Sequence, residues 1–286
     1  MDHVIELKNV CKHYALFDLK NVSFSVPAGS IVGFIGENGA GKTTTIKLIL
    51  NEIHRDSGSI RIFGRDNVRD ERKIKDQLGV VFDESYFHGE FKAGDIGFIL
   101  KHIFTSWDEP LYQRYLRQFD LPKEKLIKEY SKGMKMKLSI ASALAHRPRL
   151  LILDEATSGL DPVIRSDILD LLLDFMQDES HAILFSSHIT SDLEKIADYI
   201  TFIHEGKIVF DRSKDDLIYR CGIVKCGASD FAKIDRHDLV RWRREETGCR
   251  ALVAEKDAFR RKYPGIVVDN ASIDEIMLLY VKGEQQ

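Results

Sequence analysis

Long hydrophobic runs are missing from this sequence of 286 residues, because no stretch approaches the roughly 20 consecutive apolar residues that span a bilayer. The N-terminal segment MDHVIELKNV lacks a basic region followed by an apolar one, so no secretory signal is expected. The sequence also lacks internal repeats and low-complexity linkers. These absences favour a soluble globular protein over a membrane-spanning, secreted or repetitive one.

Cysteine is scarce, and neither sign of charge is in large excess. The four cysteines, Cys11, Cys221, Cys226 and Cys249, include no CxxC pair, which favours scattered reduced thiols over a disulfide framework or a zinc site. A net charge of −3 gives no general attraction for nucleic acid, so no nucleic-acid partner is expected. The 44% of hydrophobic residues can build one large domain with a small one, or two modest domains.

Alternating strand and helix patterns indicate an α/β fold. The segments VIELKNV and KNVSFSV alternate as strands do, while SIVGFIG, LGVVFDE, RLLILDE and HAILFSSH are short apolar runs typical of buried strands. Helical patterns separate most of the buried runs, which predicts a mostly parallel sheet beside an antiparallel N-terminal β subdomain. From about residue 85 to 147 the pattern is entirely helical, and we expect this segment to stand off the sheet as a lobe.

The pattern of predicted strands and helices changes near residue 217. The remainder, 217–286, is predicted to be a small α+β domain. Strands are expected at CGIVKCG, CRALVAE and GIVVDN, and helices at DRHDLVRWRREET, KDAFRRKY and SIDEIMLLYVKG. Just before this region, Ser191 and Glu194 have the spacing of a capping box, which predicts a helix that begins near Ser191.

The segment GENGAGKTT carries the most specific chemistry, because it fits the phosphate-binding pattern G-x-x-x-x-G-K-[ST] between a predicted strand and a predicted helix. Its glycines allow backbone N–H groups to surround a phosphate, Lys42 supplies a positive charge to the β- and γ-phosphates, and the Thr43 hydroxyl can bind Mg²⁺. The alternative is a glycine turn that matches by chance. The candidate nucleotide-binding residues of this loop are Gly36, Glu37, Asn38, Gly39, Ala40, Gly41, Lys42, Thr43 and Thr44.

Three side chains follow predicted strands at the edge where open α/β sheets bind ligands. Asp154 ends the apolar run LLILDE and is a candidate Mg²⁺ ligand, while Glu155 is the candidate general base for the attacking water. His188 ends the run ILFSSH. With Glu155 and Lys42, it makes up the three candidate catalytic residues. A strand that ends in Asp-Glu is common, and a histidine in a surface loop is commoner still, so these assignments depend on the phosphate loop.

Together these motifs make the sequence resemble the ATP-binding subunits of ABC transporters over about residues 3–215. The phosphate loop corresponds to the family's Walker A motif, LLILDE to Walker B, SGLD with Asp161 to the D-loop, and His188 to the switch histidine. Tyr14 corresponds to the aromatic residue that stacks on adenine, although a strand-end core tyrosine is the alternative. The resemblance implies an ATPase cassette over residues 1–216 that uses ATP and Mg²⁺.

The resemblance also implies a partner of the same kind. YSKGM stands where the family has its signature motif, with Ser131 and Gly133 retained. In the family, two protomers, identical or closely related, pack head to tail around two ATP molecules. Ser131 and Gly133 would therefore contact the γ-phosphate held by the partner's loop, helped by the positive end of a helix. The nearby lysines Lys135 and Lys137 are equally typical of a solvated helix face.

Asp83 departs from the family pattern, because it stands where the family usually has glutamine. Mg²⁺ accepts either side chain as a ligand, so Asp83 stays a candidate metal residue. The change does bring into question how ATP hydrolysis is coupled to the partner. The alternative is that Asp83 caps the following turn and faces solvent.

Three functions compete at this stage. The first is a transport ATPase that docks through its helical lobe on a separate membrane permease, at the inner face of the cell membrane. FDE, SKGMK and the C-terminal SIDEIMLLYVKG resemble bacterial exporters linked to peptide-antibiotic resistance and to multidrug or sodium efflux. The second is a soluble ABC ATPase of an assembly or repair process. The third, a small-molecule phosphotransferase, is disfavoured by YSKGM, SGLD and His188.

Overall fold

The computed structural model describes residues 3–246 and 248–284. Its first half is rich in strands, since alternating or fully apolar segments of β-branched residues favour extended structure. In chain order the elements before the helical lobe are β1 (His3–Tyr14), β2 (Phe17–Pro27), β3 (Ile31–Ile35), α1 (Lys42–Ile49), β4 (Ser57–Ile62), β5 (Arg65–Asp66), α2 (Glu71–Lys75) and β6 (Leu78–Phe82).

The second half begins with the helical lobe and ends with the C-terminal domain. The lobe contains α3 (Ala93–Lys101), α4 (Glu109–Gln118) and α5 (Lys132–Leu144). The sheet then continues through β7 (Leu150–Asp154), α6 (Pro162–Phe175), β8 (Ala182–Ser187), α7 (Thr190–Ile196), β9 (Tyr199–His204) and β10 (Lys207–Ser213). The last elements are β11 (Gly222–Cys226), α8 (Ala228–Phe231), β12 (Arg241–Glu245), β13 (Gly248–Val253), α9 (Lys256–Lys262), β14 (Val268–Asn270) and α10 (Ile273–Lys282).

Three sheets organise these elements, and the predicted α/β class is confirmed. The central sheet has the order β10-β9-β3-β8-β7-β6, and all of its pairs are parallel except the β9–β10 hairpin. An antiparallel sheet of order β2-β1-β4-β5 packs beside it, as expected for the N-terminal region. Parallel order brings the carboxyl ends of β3, β6, β7 and β8 to one edge, where the candidate site residues follow.

The third sheet, of order β12-β13-β11-β14, is formed by the C-terminal segment that is predicted to be a small α+β domain. Helix α10 connects this domain to the larger one, because Ile273, Ile276 and Leu279 are buried in the same apolar cluster as the central sheet. Among the described residues, no helix is long and apolar enough to cross a membrane.

Two local predictions were wrong. The segment expected to be a helix at DRHDLVRWRREET contains a short 3-10 turn, Arg236–Asp238, followed by strand β12, because Trp242 is buried when β12 pairs with β13. Helix α7 begins at Thr190 without a side-chain cap, so Ser191 forms no capping box. Glu194 instead accepts a hydrogen bond of 2.9 Å from the backbone N–H of Ile273, where α10 begins.

Candidate active site

The phosphate loop lies between β3 and α1, as the sequence predicts. Gly39 and Gly41 have φ angles of 80° and 115°, a region that side chains rarely adopt, so glycine is needed at both positions. Gly36 is needed for space, because a Cβ there would lie 2.4 Å from the carbonyl oxygen of Ile203. The loop is therefore held open at the N-terminus of α1, where backbone N–H groups can receive a phosphate.

Lys42 is buried beneath this loop although it carries a charge. Its ammonium donates to the carbonyl oxygen of Gly36 at 2.7 Å and to that of Glu37 at 3.3 Å. Oε1 of Glu155 lies 3.2 Å from the same ammonium. A buried lysine needs such partners, and phosphate oxygens would compete with Glu155 for the same cation.

Glu155 connects the loop to His188. Its Oε2 lies 2.5 Å from Nδ1 of His188 and accepts a longer hydrogen bond, 3.3 Å, from the His188 backbone N–H. Glu155 has a φ of 55°, an unusual angle for a residue other than glycine, and such strain is concentrated at functional positions. The structure thus brings all three predicted catalytic residues together, with Glu155 in contact with both Lys42 and His188.

Asp154 lies behind Glu155 at the end of β7. Burial raises the pKa of Asp154, while the nearby hydroxyls of Thr43 and Ser186 act in the opposite direction. Its Oδ1 is buried and makes no hydrogen bond to any described residue. A buried carboxylate oxygen beside a threonine hydroxyl is the type of hard donor set that Mg²⁺ prefers, so these residues fit the expected metal.

Asp83 directly follows β6, and its side chain lies near the phosphate loop. It lines a cavity of about 560 Å³ at the phosphate loop together with Thr43, Thr44 and Glu155. Asp83 is also exposed to solvent, so its position is compatible with both the metal role and the solvent-facing alternative. Phe17 lines the cavity too, and no sequence motif had marked it as a site residue.

A neighbouring cavity of about 510 Å³ contains Tyr14, at the end of β1. Tyr14 is 40% exposed, so it is not a core tyrosine, and its ring is free to stack on a flat ligand. The phosphate-loop residues Glu37, Asn38, Gly39 and Ala40 also line this cavity, and so does His204 at the end of β9. No sequence motif marked His204, because only the β3–β9 pairing places the end of β9 beside the loop.

Comparison with known proteins agrees with this geometry. The family model described as ABC transporter matches residues 19–158. The bacitracin transport ATP-binding protein BcrA of Enterococcus faecalis is 35% identical over 212 residues, 73% of this chain and 69% of the relative. The lantibiotic transport ATP-binding protein SrtF of Streptococcus pyogenes is 35% identical over 218 residues, 74% of this chain and 92% of the relative. The chain belongs to the ABC transporter family, as an ATP-binding subunit with ATPase activity.

Solved structures agree on the fold of this ABC ATPase. One described as the ATP-binding subunit of an ABC transporter superposes with a TM-score of 0.69 at 28% identity, over 75% of this chain and 91% of the other. A dimeric ATP-binding cassette in a post-hydrolysis state with ADP and phosphate superposes with a TM-score of 0.66 over 73% and 98%. Its identity of 21% supports the fold alone.

The signature region of this ABC ATPase lies at the start of α5. Ser131 is the N-cap, and its Oγ accepts a hydrogen bond of 3.2 Å from the Met134 N–H. Gly133 is buried, and a Cβ there would lie 2.4 Å from Cδ1 of Ile164 on α6, so a larger residue would require that side chain to move. Lys137 is not simply solvated, because its ammonium lies 3.0 Å from Asp167.

Asp161 of the D-loop caps α6. Its Oδ1 accepts hydrogen bonds from the backbone N–H groups of Val163 and Ile164, at 3.1 and 3.0 Å. The structure places neither Asp161 nor Ser131 and Gly133 in the lining of the phosphate-loop cavity described here. Within one chain these three residues therefore stand apart from the candidate catalytic group.

Proposed function

We propose that this ABC ATPase forms a head-to-tail dimer around two ATP molecules and powers export through a separate membrane permease. The position of the signature helix carries this proposal. Ser131 is exposed at the N-terminus of α5, a helix start suited to an anion, yet it does not line the chain's own phosphate-loop cavity. A second protomer would supply the phosphate that this helix start lacks in its own chain.

The contacts around Glu155 support its role as the general base. Phosphate oxygens would draw the Lys42 ammonium away from Oε1, leaving that oxygen free to accept a proton from the attacking water. His188 would hold the opposite carboxylate oxygen and so fix the direction of the base. Tyr14 would stack on the adenine and place the triphosphate along the loop.

Thr43, Asp154 and Asp83 would hold Mg²⁺, which neutralises charge on the β- and γ-phosphates when bound. The unpartnered oxygen of Asp154 supports this assignment, because burial of a charged carboxylate is costly without a cation. Asp83 contributes a full negative charge where the family usually has a neutral amide. We therefore expect this ATPase to depend on magnesium for nucleotide binding more strongly than a cassette with glutamine.

An apolar groove supports docking on a membrane partner. It encloses about 430 Å³ between β6 and the helical lobe, and Tyr86, Phe87, Leu100, Ile103 and Phe104 contribute to its lining. Phe98 on α3 and Ile103 in the turn after α3 are both exposed here, and their side chains are 69% and 62% accessible. Large apolar side chains clustered on a surface mark an interaction site, and a groove of this shape suits a short helix.

The direction and cargo of transport are inferred from relatives. Relatives named for bacitracin and lantibiotic transport support export of peptide antibiotics, with the ATPase held at the cytoplasmic face of the cell membrane by the permease. The cargo contacts would belong to the permease.

Site-specific photo-crosslinking in the native host tests this function. A photoreactive amino acid at Ile103 should capture an integral membrane protein, whereas the same group at Val267, exposed on the C-terminal domain, should not. Capture of a membrane protein from Ile103 alone supports docking through the groove. Equal capture from both positions, or capture of soluble proteins only, would contradict it and favour an ATPase without a membrane partner.

A further inference from the structure

Two cysteines outside the ATPase site face each other in the C-terminal sheet. Cys226 ends β11 and is directly opposite Cys249 of β13 in the antiparallel register. Directly opposed residues in such a ladder have Cα atoms about 4.5–5.5 Å apart, within the roughly 4.4–6.8 Å that a disulfide spans. Their side chains lie on the same face of the sheet, because both pack into the apolar cluster formed by Val224, Ala251 and Val253.

The backbones are also unusually close at this point. A Cβ at Gly248 would lie 2.5 Å from the carbonyl oxygen of Cys226, so the start of β13 approaches the end of β11 without an intervening side chain. The other two cysteines have no such partner. Cys11 lies in β1, and Cys221 is buried near the junction of the domains.

Cys249 is only 7% exposed, but it lines a cavity of about 420 Å³. Two guanidinium groups line it, those of Arg236 and Arg244, and Arg244 is directly opposite Cys249 in the β12–β13 register. Glu245 and Glu246 line it as well. The cavity therefore offers both signs of charge, which suits a ligand that carries carboxylate and ammonium groups.

We propose that Cys226 and Cys249 form a redox-active dithiol that exchanges with a small zwitterionic peptide disulfide. The Cys249 thiolate attacks one sulfur of the incoming disulfide, forming a mixed disulfide and releasing one thiol. The Cys226 thiolate then attacks Sγ of Cys249, forming the Cys226–Cys249 disulfide and releasing the second thiol. Two protein thiols are oxidised and one small disulfide is reduced, so electrons and protons balance.

The surroundings assign the order of attack. Cys249 lines the cavity and Cys226 does not, and the positive charge of Arg244 favours the approach of carboxylates. Burial raises the pKa of the Cys226 thiol, and so does its neighbour Cys249, which lowers the thiolate fraction of Cys226. Cys226 needs to act only after Cys249 has been modified, when the two sulfurs are held side by side.

Glutathione disulfide is a suitable probe for the full-length chain. After incubation and alkylation of the remaining thiols, mass spectrometry of the parent should show an internal Cys226–Cys249 disulfide and no retained glutathione. Cys226→Ser should instead retain one glutathione on Cys249, and Cys249→Ser should form neither product. Cys11→Ser and Cys221→Ser are matched controls and should behave like the parent.

A charge variant tests the cavity without altering a cysteine. Arg244→Gln, at an exposed position, should slow exchange with glutathione disulfide by about twofold to fivefold. Exchange with the uncharged hydroxyethyl disulfide should not change. Circular dichroism of each variant checks that the fold is retained, and Cys226→Ala replaces Cys226→Ser if the hydroxyl destabilises the strand.

Three results would overturn the proposal. One is glutathione on Cys11 or Cys221 in preference to Cys249. Another is formation of the Cys226–Cys249 disulfide only in denaturant. The third is a folded Cys226 variant whose Cys249 does not react. Each of these readouts is independent of ATP hydrolysis and of any membrane partner. They therefore test the dithiol proposal without testing the proposed transport function.

Discussion

The ammonium nitrogen of Lys42 lies 3.2 Å from Oε1 of Glu155, which links the phosphate loop directly to the proposed general base. The contact joins the start of α1 to the end of β7, two segments more than a hundred residues apart in the sequence. It means that the residue proposed to bind phosphate and the residue proposed to activate water share one electrostatic environment. A change in either residue should therefore be visible in both binding and turnover.

Glu155→Gln should keep ATP binding and stop turnover, because the amide retains the shape of the side chain but cannot accept the proton. We expect the rate of hydrolysis to fall by about 10²–10⁴-fold. Since ATP then persists, the variant should elute as a dimer in gel filtration with ATP and Mg²⁺. A variant that hydrolyses ATP at nearly the parent rate would show that Glu155 is not the base.

Ser131→Arg should abolish ATPase activity while a lone protomer still binds nucleotide, because the arginine would occupy space intended for the partner's γ-phosphate. Mixing this variant with Lys42→Ala should restore part of the activity, since one site then combines an intact loop with an intact signature helix. Ser131→Ala controls for loss of the helix cap, which costs about 1 kcal/mol. If mixtures that form dimers recover no activity, the head-to-tail arrangement is wrong.

Asp83→Asn should bind ATP more tightly without magnesium and still hydrolyse it with magnesium. Removal of one negative charge from the phosphate-loop cavity relieves about 1 kcal/mol of repulsion, a change of roughly fivefold in affinity. Calorimetric titration with and without Mg²⁺ measures the effect. Glu84→Gln is the matched control, because Glu84 lines the apolar groove instead. Identical titrations for parent and Asp83→Asn would rule out the metal role.

Asp154→Asn should make the protein more stable and less active. Burial raises the folded-state pKa of Asp154 above its unfolded value, so the ionised carboxylate costs stability above that folded pKa. At pH 7 the variant should gain stability of the order of 1 kcal/mol. The gain should shrink as pH falls through the folded pKa toward the unfolded value of about 4.

Thermal unfolding at several pH values, combined with an ATPase assay, tests this trade-off. The exposed carboxylate Asp170 provides the control, and Asp170→Asn should leave the pH dependence unchanged. A lower melting temperature for Asp154→Asn at pH 7 would contradict the assigned cost of burial.

Ile103→Ser should leave melting temperature and basal ATPase rate unchanged but weaken the coupling of ATPase rate to transport, because Ile103 is exposed beside the groove. Ile96→Ser, on α3 and only 3% exposed, should instead reduce stability by several kcal/mol. Transport assays in reconstituted vesicles distinguish the two effects. If Ile103→Ser also unfolds the protein, the turn after α3 is core and not a docking surface.

The sequence was sufficient for the elements with strong local signals. The phosphate loop and the buried runs that end at Asp154 and His188 were predicted from spacing alone, because glycine conformation and strand periodicity are local properties. Local rules failed where distant contacts competed with them. Ser191 has the spacing of a cap, yet Glu194 bonds to Ile273, and the polar segment around Trp242 became an edge strand because β13 was available to pair with it.

By itself, the sequence determined the chemistry of this ABC ATPase, namely which residue types could hold phosphate, metal and water. Only the tertiary structure decided which of them meet. Parallel strand order brings Lys42, Glu155 and His188 into contact and places Asp83 in the same cavity, whereas Ser131 and Asp161 are engaged elsewhere as helix caps. Cys226 likewise lies opposite Cys249 only because of the strand register. That register is set by packing across the sheet and cannot be predicted from the spacing of the two cysteines in the sequence.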